Sequence, residues 1–390
     1  MTRFEKLSEQ FAQRNFELSR RFGNTDYTPQ KLREFLKHVG NPQDHYRVLH
    51  VAGTVGKGSV SWLLAKAYER QGECVGLYTS PHLVHLGERI RINSTEISEE
   101  EFFDFYDKYE EDFHRYELSF FDILTAIAFL YFSQKKISLA VIETGLGGRL
   151  DSTNVVKSEC AIICRIGFDH QHILGHTLAQ IAWEKAGIIK EKSIVYSMRQ
   201  EQEALKVIQQ VAQEKRANFF IPNYSDSYDY RKTNRNFVES IFFLHEQKKI
   251  DLADVEIPGR FERLLSKYPL YFDSAHNAPG IKALAAILER DFYDIKINIV
   301  FNCLKERNPQ ELLEGLEKLK NIEYFYPPWE IAGGYSQQEL ENILLRKWEK
   351  MELSLLERKL FHKNEMVVFC GSMRLYAPLK KYVQEKLSLR

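Results

Sequence analysis

A glycine-rich stretch, HVAGTVGKGS at residues 50–59, constrains the fold of this chain more than any other. The apolar run RVLHVA leads into it and the helical pattern SVSWLLAKAYERQG leads out of it, so it joins a buried strand to a helix. Glycine lets the backbone approach an anion without a Cβ in the way, and a helix N-terminus adds partial positive charge. The glycines are Gly53, Gly56 and Gly58. The stretch departs from the common phosphate-loop motif G-x-x-x-x-G-K-[ST] at two positions. Val51 replaces the first glycine, and an extra glycine separates Lys57 from Ser59. The stretch predicts a phosphate-binding turn, and the alternative is a glycine turn with an incidental lysine.

Further strands and helices alternate along the first half of the chain. CVGLYTS, SLAVIETG and CAIICRIG are short apolar runs typical of buried strands, and helical patterns such as FFDILTAIAFLYFSQK separate them. The alternation predicts βαβ units and a parallel sheet, in which ligands bind at the carboxyl ends of the strands. Polar residues and glycines follow four of these strands, at residues 53–59, 80–83, 143–154 and 167–170. We therefore expect one ligand site at this edge of the sheet.

A second alternating block begins near residue 257. Its strand-like runs LYFDSA, INIVFNC and MVVFCGS alternate with helical patterns such as GIKALAAILERDF and PQELLEGLEKL. Before this block, the polar stretch PNYSDSYDYRKTNRN predicts a loop, and a helix is predicted over FVESIFFLHEQKK. A chain of 390 residues is long enough for two or three domains. We predict an α/β protein with two domains, at residues 1–256 and 257–390.

Charge and apolar content exclude several classes of partner. Lys plus Arg and Asp plus Glu both number 54, which argues against nucleic acid and anionic membranes and favours a small-molecule partner. No uncharged apolar window is long enough to span a membrane, and the charged start MTRFEKLSEQ lacks the apolar core of a signal peptide. The five cysteines are scattered and odd in number. We expect a reduced, cytoplasmic protein that binds neither nucleic acid nor membranes.

Several motifs resemble, in order and spacing, those of the folylpolyglutamate synthase/dihydrofolate synthase family of the Mur-ligase superfamily. They are HVAGTVGKGS, LYTSPHLVHLGERIRIN, ETGLGGRLDSTNVV, IGFDHQHILGHTLAQIAWEKAGIIK, PGRFE and DSAHN. The resemblance is dense over residues 47–190 and returns over residues 257–280. It implies a Mur-ligase-like fold: a P-loop parallel-sheet domain at 1–256 that binds ATP and the pterin or folate, then a smaller Rossmann-like α/β glutamate-ligase domain at 257–390.

The resemblance implies an ATP-dependent amide ligase that uses Mg²⁺. In this family a substrate carboxylate attacks the γ-phosphate of ATP, and the amine of L-glutamate then displaces phosphate from the acyl phosphate. The carboxylate substrate would be dihydropteroate or a folate, and the family implies a monomer. Negative charge builds up in both steps, so cations must be held in place beforehand.

The resemblance also assigns residues to the nucleotide and the metal. ATP would contact Gly53, Thr54, Gly56, Lys57, Gly58, Ser59, Asn236, Arg260 and Asp273. Ser59 would hold the Mg²⁺ on the ATP phosphates, and Ser80, Glu143 and His170 would hold a second Mg²⁺. Lys185 would carry a carbamate that orients magnesium ligands. The catalytic residues would be Lys57, Lys185, His170 and His276. A histidine is an unexpected ligand for a hard cation such as Mg²⁺, so chemistry alone would not select His170.

A third set of residues falls where the family binds its pterin substrate. These residues are Pro81 and His82 in TSPHL, Ser119, Phe121 and Asp122 in SFFDILTA, and Asp151 in GRLDSTN. An aromatic ring can stack on a flat heterocycle, and a carboxylate can pair with its amino-pyrimidine edge. Phe121 opens a very apolar helix, so a simple core position is the alternative for it.

The chain departs from the family pattern at four places. Val55 replaces the Asn of T-N-G-K-G, Ser274 replaces the Gly of D-G-A-H-N, and Lys305 lacks the neighbouring aspartates of D-K-D. In addition, residues 190–258 form a shorter segment than the family leads one to expect. These departures leave two other hypotheses open. One is a Mur-ligase-like enzyme that joins an amino acid to a different carboxylic acid, and the other is a nucleotide-binding remnant without turnover.

Overall fold

The computed structural model describes residues 2–7, 28–345, 348–362 and 364–387. Its strands are β1 Arg47–Ala52, β2 Val75–Tyr78, β3 Ile90–Ile92, β4 Thr95–Glu96, β5 Leu139–Glu143, β6 Cys160–Ile163, β7 Ile194–Ser197, β8 Asn218–Phe220, β9 Glu262–Arg263, β10 Leu270–Phe272, β11 Lys296–Phe301, β12 Ile322–Tyr326, β13 Glu349–Lys350 and β14 Glu365–Cys370. Its α-helices include Gln30–His38, Lys57–Arg70, Glu99–Arg115, Phe120–Gln134, Gln171–Leu174, Leu178–Ala186, Gln202–Glu214, Tyr230–Glu246, Ala278–Asp291, Pro309–Glu314, Gln337–Leu344, Leu353–Phe361 and Tyr376–Tyr382. None of the helices in these described ranges is long and apolar enough to cross a membrane.

The first sheet has the strand order β4-β3-β2-β5-β1-β6-β7-β8. Its pairs are parallel except for β2 with β3 and β3 with β4, which are antiparallel. Strand β1 lies between β5 and β6. The order in which strands are added to the sheet changes direction at this point, and α/β sheets bind ligands at such switch points. Every residue of β2, β5 and β6 is buried, as expected for parallel strands covered by helices on both faces.

The second sheet has the order β13-β12-β11-β14-β10-β9, and only its edge pair β10 with β9 is antiparallel. The described chain divides into two compact units. The first holds the residues up to Ser225 and Asn234–Val255, and the second holds Asp226–Thr233 and the residues from Glu256 onward. Two sheets rich in parallel pairs confirm the prediction of an α/β fold.

One helix differs from the sequence prediction. The polar stretch before FVESIFFLHEQKK is predicted to be a loop, but the helix already begins at Tyr230 and continues to Glu246. Asp229 precedes it and accepts a hydrogen bond from the backbone N–H of Arg231 at 2.9 Å, which satisfies one of the free donors at the helix start. Thr and Asn are weak helix formers, so the helix propensity of these residues does not predict that the helix begins here. Residues 230–233 belong to the second unit and the remainder of the helix to the first.

Candidate active site

The predicted phosphate-binding turn lies between β1 and the helix Lys57–Arg70. Gly56 precedes the helix with a φ of 94°, a left-handed conformation that glycine adopts without strain, and no side chain caps the helix start. The first backbone N–H groups of a helix have no partner within it, so they are available to an anion. Ser59 lies in this first turn and is only 2% exposed. The turn therefore has the geometry of an anion cradle.

The chain segment after β6 holds this turn in place. A Cβ at Gly53 would lie 2.6 Å from the Cβ of Cys164, so only glycine permits the close approach. The backbone N–H groups of Thr54 and Val55 both donate to the carbonyl of Arg165, at 2.9 and 3.2 Å. The hydroxyl of Thr54 accepts from the N–H of Gly167 and donates to its carbonyl, both at 3.0 Å. Thr54 thus holds the shape of the turn. The Val55 N–H takes part in the same backbone clamp, so replacing the family's Asn leaves that clamp intact.

A buried carboxylate lies above the start of the same helix. Glu143 ends β5, is 3% exposed, and accepts a hydrogen bond from the backbone N–H of Ser80 at 3.1 Å. One of its oxygens lies 3.5 Å from where a Cβ at Gly58 would be. The structure therefore brings together the first turn of the helix, Glu143 and the Ser80–Pro81 segment, whose peptide bond is cis.

His170 follows β6 at the same edge of the sheet. It precedes the short helix Gln171–Leu174 with a φ of 48°, and its Nε2 lies 3.8 Å from a carboxylate oxygen of Asp169. The imidazole is partly exposed. A non-glycine residue in the left-handed region is uncommon, and such strain is concentrated at functional sites. The adjacent Asp169 adds a carboxylate that the sequence motifs do not single out.

Lys185 is the most unusual titratable group of this cluster. The side chain is buried, and its Nζ donates a hydrogen bond to the carbonyl of Gly53 at 2.8 Å. Burial, together with the charge of Lys57, lowers the pKa of Lys185 to about 7. This side chain is therefore neutral near neutral pH far more often than an exposed lysine. The helix Leu178–Ala186, which carries Lys185, is tied to the loop after β5 because Glu184 accepts from the backbone and side chain of Arg149.

The polar residues predicted to bind the pterin hold loops together. Ser119 and Asp122 cap the helix Phe120–Gln134 reciprocally, and the Asp122 carboxylate also accepts from the hydroxyl of Ser152 at 2.7 Å. Asp151 accepts from the N–H groups of Leu146 and Thr153 at 2.8 and 3.0 Å, and burial raises its pKa.

The remaining members of the predicted pterin set differ in their surroundings. The ring of Phe121 lies directly against the backbone of Gly145 and at 5.9 Å from the ring of Tyr78, at the end of β5 and β2. The Nδ1 of His82 accepts a hydrogen bond from the Nε of Arg89 at 3.0 Å. Burial and the nearby guanidinium lower the pKa of His82 to about 3. Pro81, beside it, is exposed.

In the second unit, the predicted residues lie together at the end of β10. Asp273 is buried and accepts hydrogen bonds from the hydroxyl of Tyr230 at 2.6 Å and from two backbone N–H groups at 2.8 and 2.9 Å. Burial raises the pKa of this carboxyl group. The guanidinium of Arg260 donates to the hydroxyl of Ser274, and His276 Nδ1 lies 2.8 Å from the Ser274 carbonyl. Ser274 has no positive φ, so serine in place of the family's glycine causes no strain.

Asn236 does not lie at the phosphate-binding turn. Its side-chain amide donates to the carbonyl of Ser225 at 2.8 Å. The amide against the turn belongs to Asn234, which is 6% exposed and has its Oδ1 3.1 Å from where a Cβ at Gly56 would be. Residues two apart on a helix point to different sides, so both cannot face the turn. The contact of Asn236 with the nucleotide rests on the family resemblance and stays a prediction, whereas the structure puts the amide of Asn234 at the turn.

Comparison with known proteins agrees with the geometry. Residues 51–263 match the Mur ligase middle domain. The chain is 30% identical to the dihydrofolate synthase/folylpolyglutamate synthase of Bacillus subtilis over an alignment of 406 positions including gaps, which covers 90% of this chain and 94% of that protein. The crystal structure of folylpolyglutamate synthase from Thermotoga maritima is similar with a TM-score of 0.79 at 26% identity, covering 95% and 96% of the two chains. The fold of E. coli FolC in complex with ADP is similar with a TM-score of 0.84 at 24% identity, covering 93% and 95%.

Replacing Lys185 by methionine should stabilise the protein at neutral pH. Between about pH 7 and the ordinary pKa of 10.5, the unfolded lysine holds a proton that the folded one has released. The stability of the unmodified protein therefore rises with pH in this window, by on the order of a few kcal/mol. Urea unfolding of both proteins in CO₂-free buffer measures the difference, which should shrink towards pH 10. The exposed Lys206→Met is the control, and a pH-independent difference for Lys185→Met would contradict this account.

Proposed function

Because the chain belongs to the dihydrofolate synthase/folylpolyglutamate synthase family of Mur ligases, we propose that it joins L-glutamate to dihydropteroate or folates with conversion of ATP to ADP and phosphate. The observation that carries the proposal is the cluster around the phosphate-binding turn, where Lys185 and Glu143 are both buried beside the uncapped helix start. A structural turn would not need two buried ionisable groups, which are costly unless they serve a ligand.

The residues of the turn suit the phosphates of ATP. The uncapped N–H groups of the helix Lys57–Arg70 supply donors, and Lys57 supplies a cation near them. Lys57 lies close enough to Lys185 for their charges to interact, so both residues belong to one site. A preorganised cation such as Lys57 stabilises a phosphoryl group during transfer.

The same edge of the sheet offers oxygen ligands for a divalent metal. Ser59 and Glu143 lie on two neighbouring elements, and carboxylate and hydroxyl oxygens are the ligands that Mg²⁺ prefers. We assign Ser59 to the metal on the ATP phosphates, and Glu143 with Ser80 and His170 to a second metal, as the family resemblance implies. When bound, the metals would supply positive charge that offsets the negative charge developing on the phosphates. These residues would hold the metals next to the phosphates.

Lys185 is suited to carry a carbamate. A carbamate forms when a neutral amine nitrogen attacks CO₂ and loses a proton, so it requires an amine that is uncharged near neutral pH. Burial supplies that condition, because it lowers the pKa of Lys185 to about 7. The resulting anion would help to position the metal ligands.

The substrate residues divide into three groups. Phe121 lies at the strand ends with its ring on Gly145, which suits stacking on a flat heterocycle. The residues of the second group hold loops near the proposed substrate site through hydrogen bonds within the protein; they are Ser119, Asp122 and Asp151. A hydrogen bond from one of them to a pterin would be made in addition to these. Pro81 and His82 belong to the adjoining loop after β2.

The second unit would contribute to nucleotide and amino-acid binding. Asp273 and Arg260 lie together at the end of β10 and suit the ribose and phosphate of ATP, as the resemblance implies. His276 has its Nδ1 against the carbonyl of Ser274, which orients the ring for the phosphates or the incoming glutamate. We assign the contact with the nucleotide in the first unit to Asn234.

The first test is ADP release with ATP, Mg²⁺ and L-glutamate, using 7,8-dihydropteroate and tetrahydrofolate in separate reactions. We expect glutamate-dependent turnover with at least one of them, and Lys57→Ala should lower it by a factor of at least about 100 because a preorganised phosphate contact is lost. Lys66→Ala is the matched control, since Lys66 lies on the same helix but pairs with Glu69 at 3.1 Å.

The two acceptors distinguish two activities. Turnover with dihydropteroate establishes a synthase, and turnover with tetrahydrofolate establishes a polyglutamylase. Absence of turnover with both, from folded protein that binds ATP, would contradict the folate assignment. It would favour a ligase acting on another carboxylic acid, or a protein that binds the nucleotide without turnover.

The two asparagines provide a second test. Asn234→Ala should raise the KM for ATP up to about tenfold, because one hydrogen bond contributes roughly 0.5–1.5 kcal/mol. Asn236→Ala, two residues further along the same helix, should change it less than about twofold. Steady-state kinetics with varied ATP measure both, and an equal or larger effect of Asn236→Ala would overturn the assignment to Asn234.

The carbamate can be observed directly. Protein incubated at pH 8 with ¹³C-bicarbonate should show a protein-bound carbamate resonance in its ¹³C NMR spectrum, and Lys185→Met should lack that resonance. The same measurement on Lys206→Met controls for exposed lysines. A spectrum of the unmodified protein without such a resonance would refute the carbamate.

A further inference from the structure

We propose that Arg89 is a positioning residue that keeps the imidazole proton of His82 on Nε2, so that this N–H donates a hydrogen bond to the reacting carboxyl group of the acceptor substrate. The proposal rests on the ligase function above, since it assigns His82 to the binding of that substrate. Its two halves, the proton position and the substrate contact, can be measured separately.

The loop that carries His82 is held by the residue next to Arg89. The carboxylate of Glu88 accepts three hydrogen bonds from consecutive backbone N–H groups of the loop, at 2.7 to 3.0 Å. The donors are Leu83, Val84 and His85. A loop held at three successive positions has little freedom left, so the ring of His82 is presented in one orientation.

The contact with Arg89 decides which ring nitrogen of His82 carries the proton. A guanidinium group has only donors, so the Nδ1 atom that lies 3.0 Å from Arg89 Nε must accept. The neutral ring therefore has its proton on Nε2. Within the described residues, the structure records no protein acceptor for this N–H, and the side chain is only partly buried. The donor is oriented and available.

The position of His82 relates it to the reacting carboxyl group. His82 follows two residues after Ser80, whose N–H donates to Glu143, and Arg89 lies close enough to Glu143 for their charges to interact. The pair of His82 and Arg89 thus lies near the proposed metal site, where the substrate carboxylate must meet the phosphate. A neutral N–H can stabilise the oxygen that gains negative charge when the amine attacks. In this role His82 donates a hydrogen bond and neither gains nor loses a proton.

Substitutions at His82 separate the two ring nitrogens. A glutamine side chain places its N–H near the position of Nε2, whereas asparagine places it near Nδ1. We expect His82→Gln to keep kcat within about tenfold and His82→Asn to lower it about 100-fold, the range for one lost transition-state donor. Equal losses in both variants would overturn the role of Nε2.

A double-mutant cycle tests whether Arg89 acts through His82. Arg89→Met should lower kcat about tenfold in the natural background and less than about twofold in the His82→Gln background, because an amide has no tautomer to control. Arg91→Met is the control, since Arg91 belongs to the same segment but pairs with Glu96. A purely structural role of Arg89 predicts the same loss in both backgrounds, and that outcome would refute the proposal.

NMR of the full-length protein with ¹⁵N-labelled histidine gives a readout that does not depend on turnover. His82, assigned by its loss in His82→Gln, should show the proton on Nε2, and Arg89→Met should produce a mixture of tautomers. Arg89→Lys keeps the charge but moves the donor, so it should also fail to restore the single tautomer. A proton on Nδ1, or a tautomer unchanged in both Arg89 variants, would overturn the proposal. If the unmodified protein has no ligase activity, the proposed function fails and the substrate contact fails with it, while the spectra still decide the role of Arg89.

Discussion

The close contact between the phosphate-binding turn and the segment after β6 is the constraint on which the first unit depends. Gly53 touches Cys164, the N–H groups of Thr54 and Val55 share one carbonyl, and the Thr54 hydroxyl joins the turn to Gly167. Two strands of one sheet thereby hold a single turn from the side. The backbone N–H groups of the following helix are left free of this clamp, and they are the groups that an anion needs.

The charges of the site follow from the same arrangement. Because the turn lies so close to β6, the helix that follows brings Lys185 under it, where the amine contacts the Gly53 carbonyl and loses much of its hydration. Glu143 approaches from β5 on the other side of β1. A buried carboxylate, a buried lysine with a lowered pKa and Lys57 at the helix start therefore lie around one turn. Electrostatic interactions are stronger for buried groups than in water, which suits a reaction in which negative charge moves between phosphate and carboxyl oxygens.

Much of the fold and of this cluster could be predicted from the sequence, because both rest on local patterns. Apolar runs alternating with helical patterns predict a parallel sheet, and the glycine-rich turn is recognisable from its spelling together with its flanking elements. The motifs also predict the family, and the comparisons confirm it. The start of the helix at Tyr230 could not be predicted, since Asp229 caps a stretch rich in weak helix formers. The position of Asn234 at the phosphate-binding turn, which this helix determines, could not be predicted either.

Other features depend on contacts between residues distant in sequence. The sequence SFFD predicts the capping box of Ser119 and Asp122. It does not predict the hydrogen bond between Asp122 and Ser152, because these residues come together only in the folded protein. Arg89 looks like one charge among several in LGERIRIN, and only the folded loop shows that it contacts His82. Single side chains that act through a neighbour leave no spacing pattern, so a sequence reveals the groups that touch a ligand more readily than those that position them.

In the proposed reaction, the cluster around the phosphate-binding turn transfers the γ-phosphoryl group of ATP to a carboxyl oxygen before the amide forms. Dihydropteroate labelled with ¹⁸O in its carboxyl group tests this claim directly, because an acyl phosphate passes one labelled oxygen to the phosphate that leaves. We expect each phosphate released together with dihydrofolate to contain one ¹⁸O atom. Phosphate without the label, formed in step with the amide product, would contradict it.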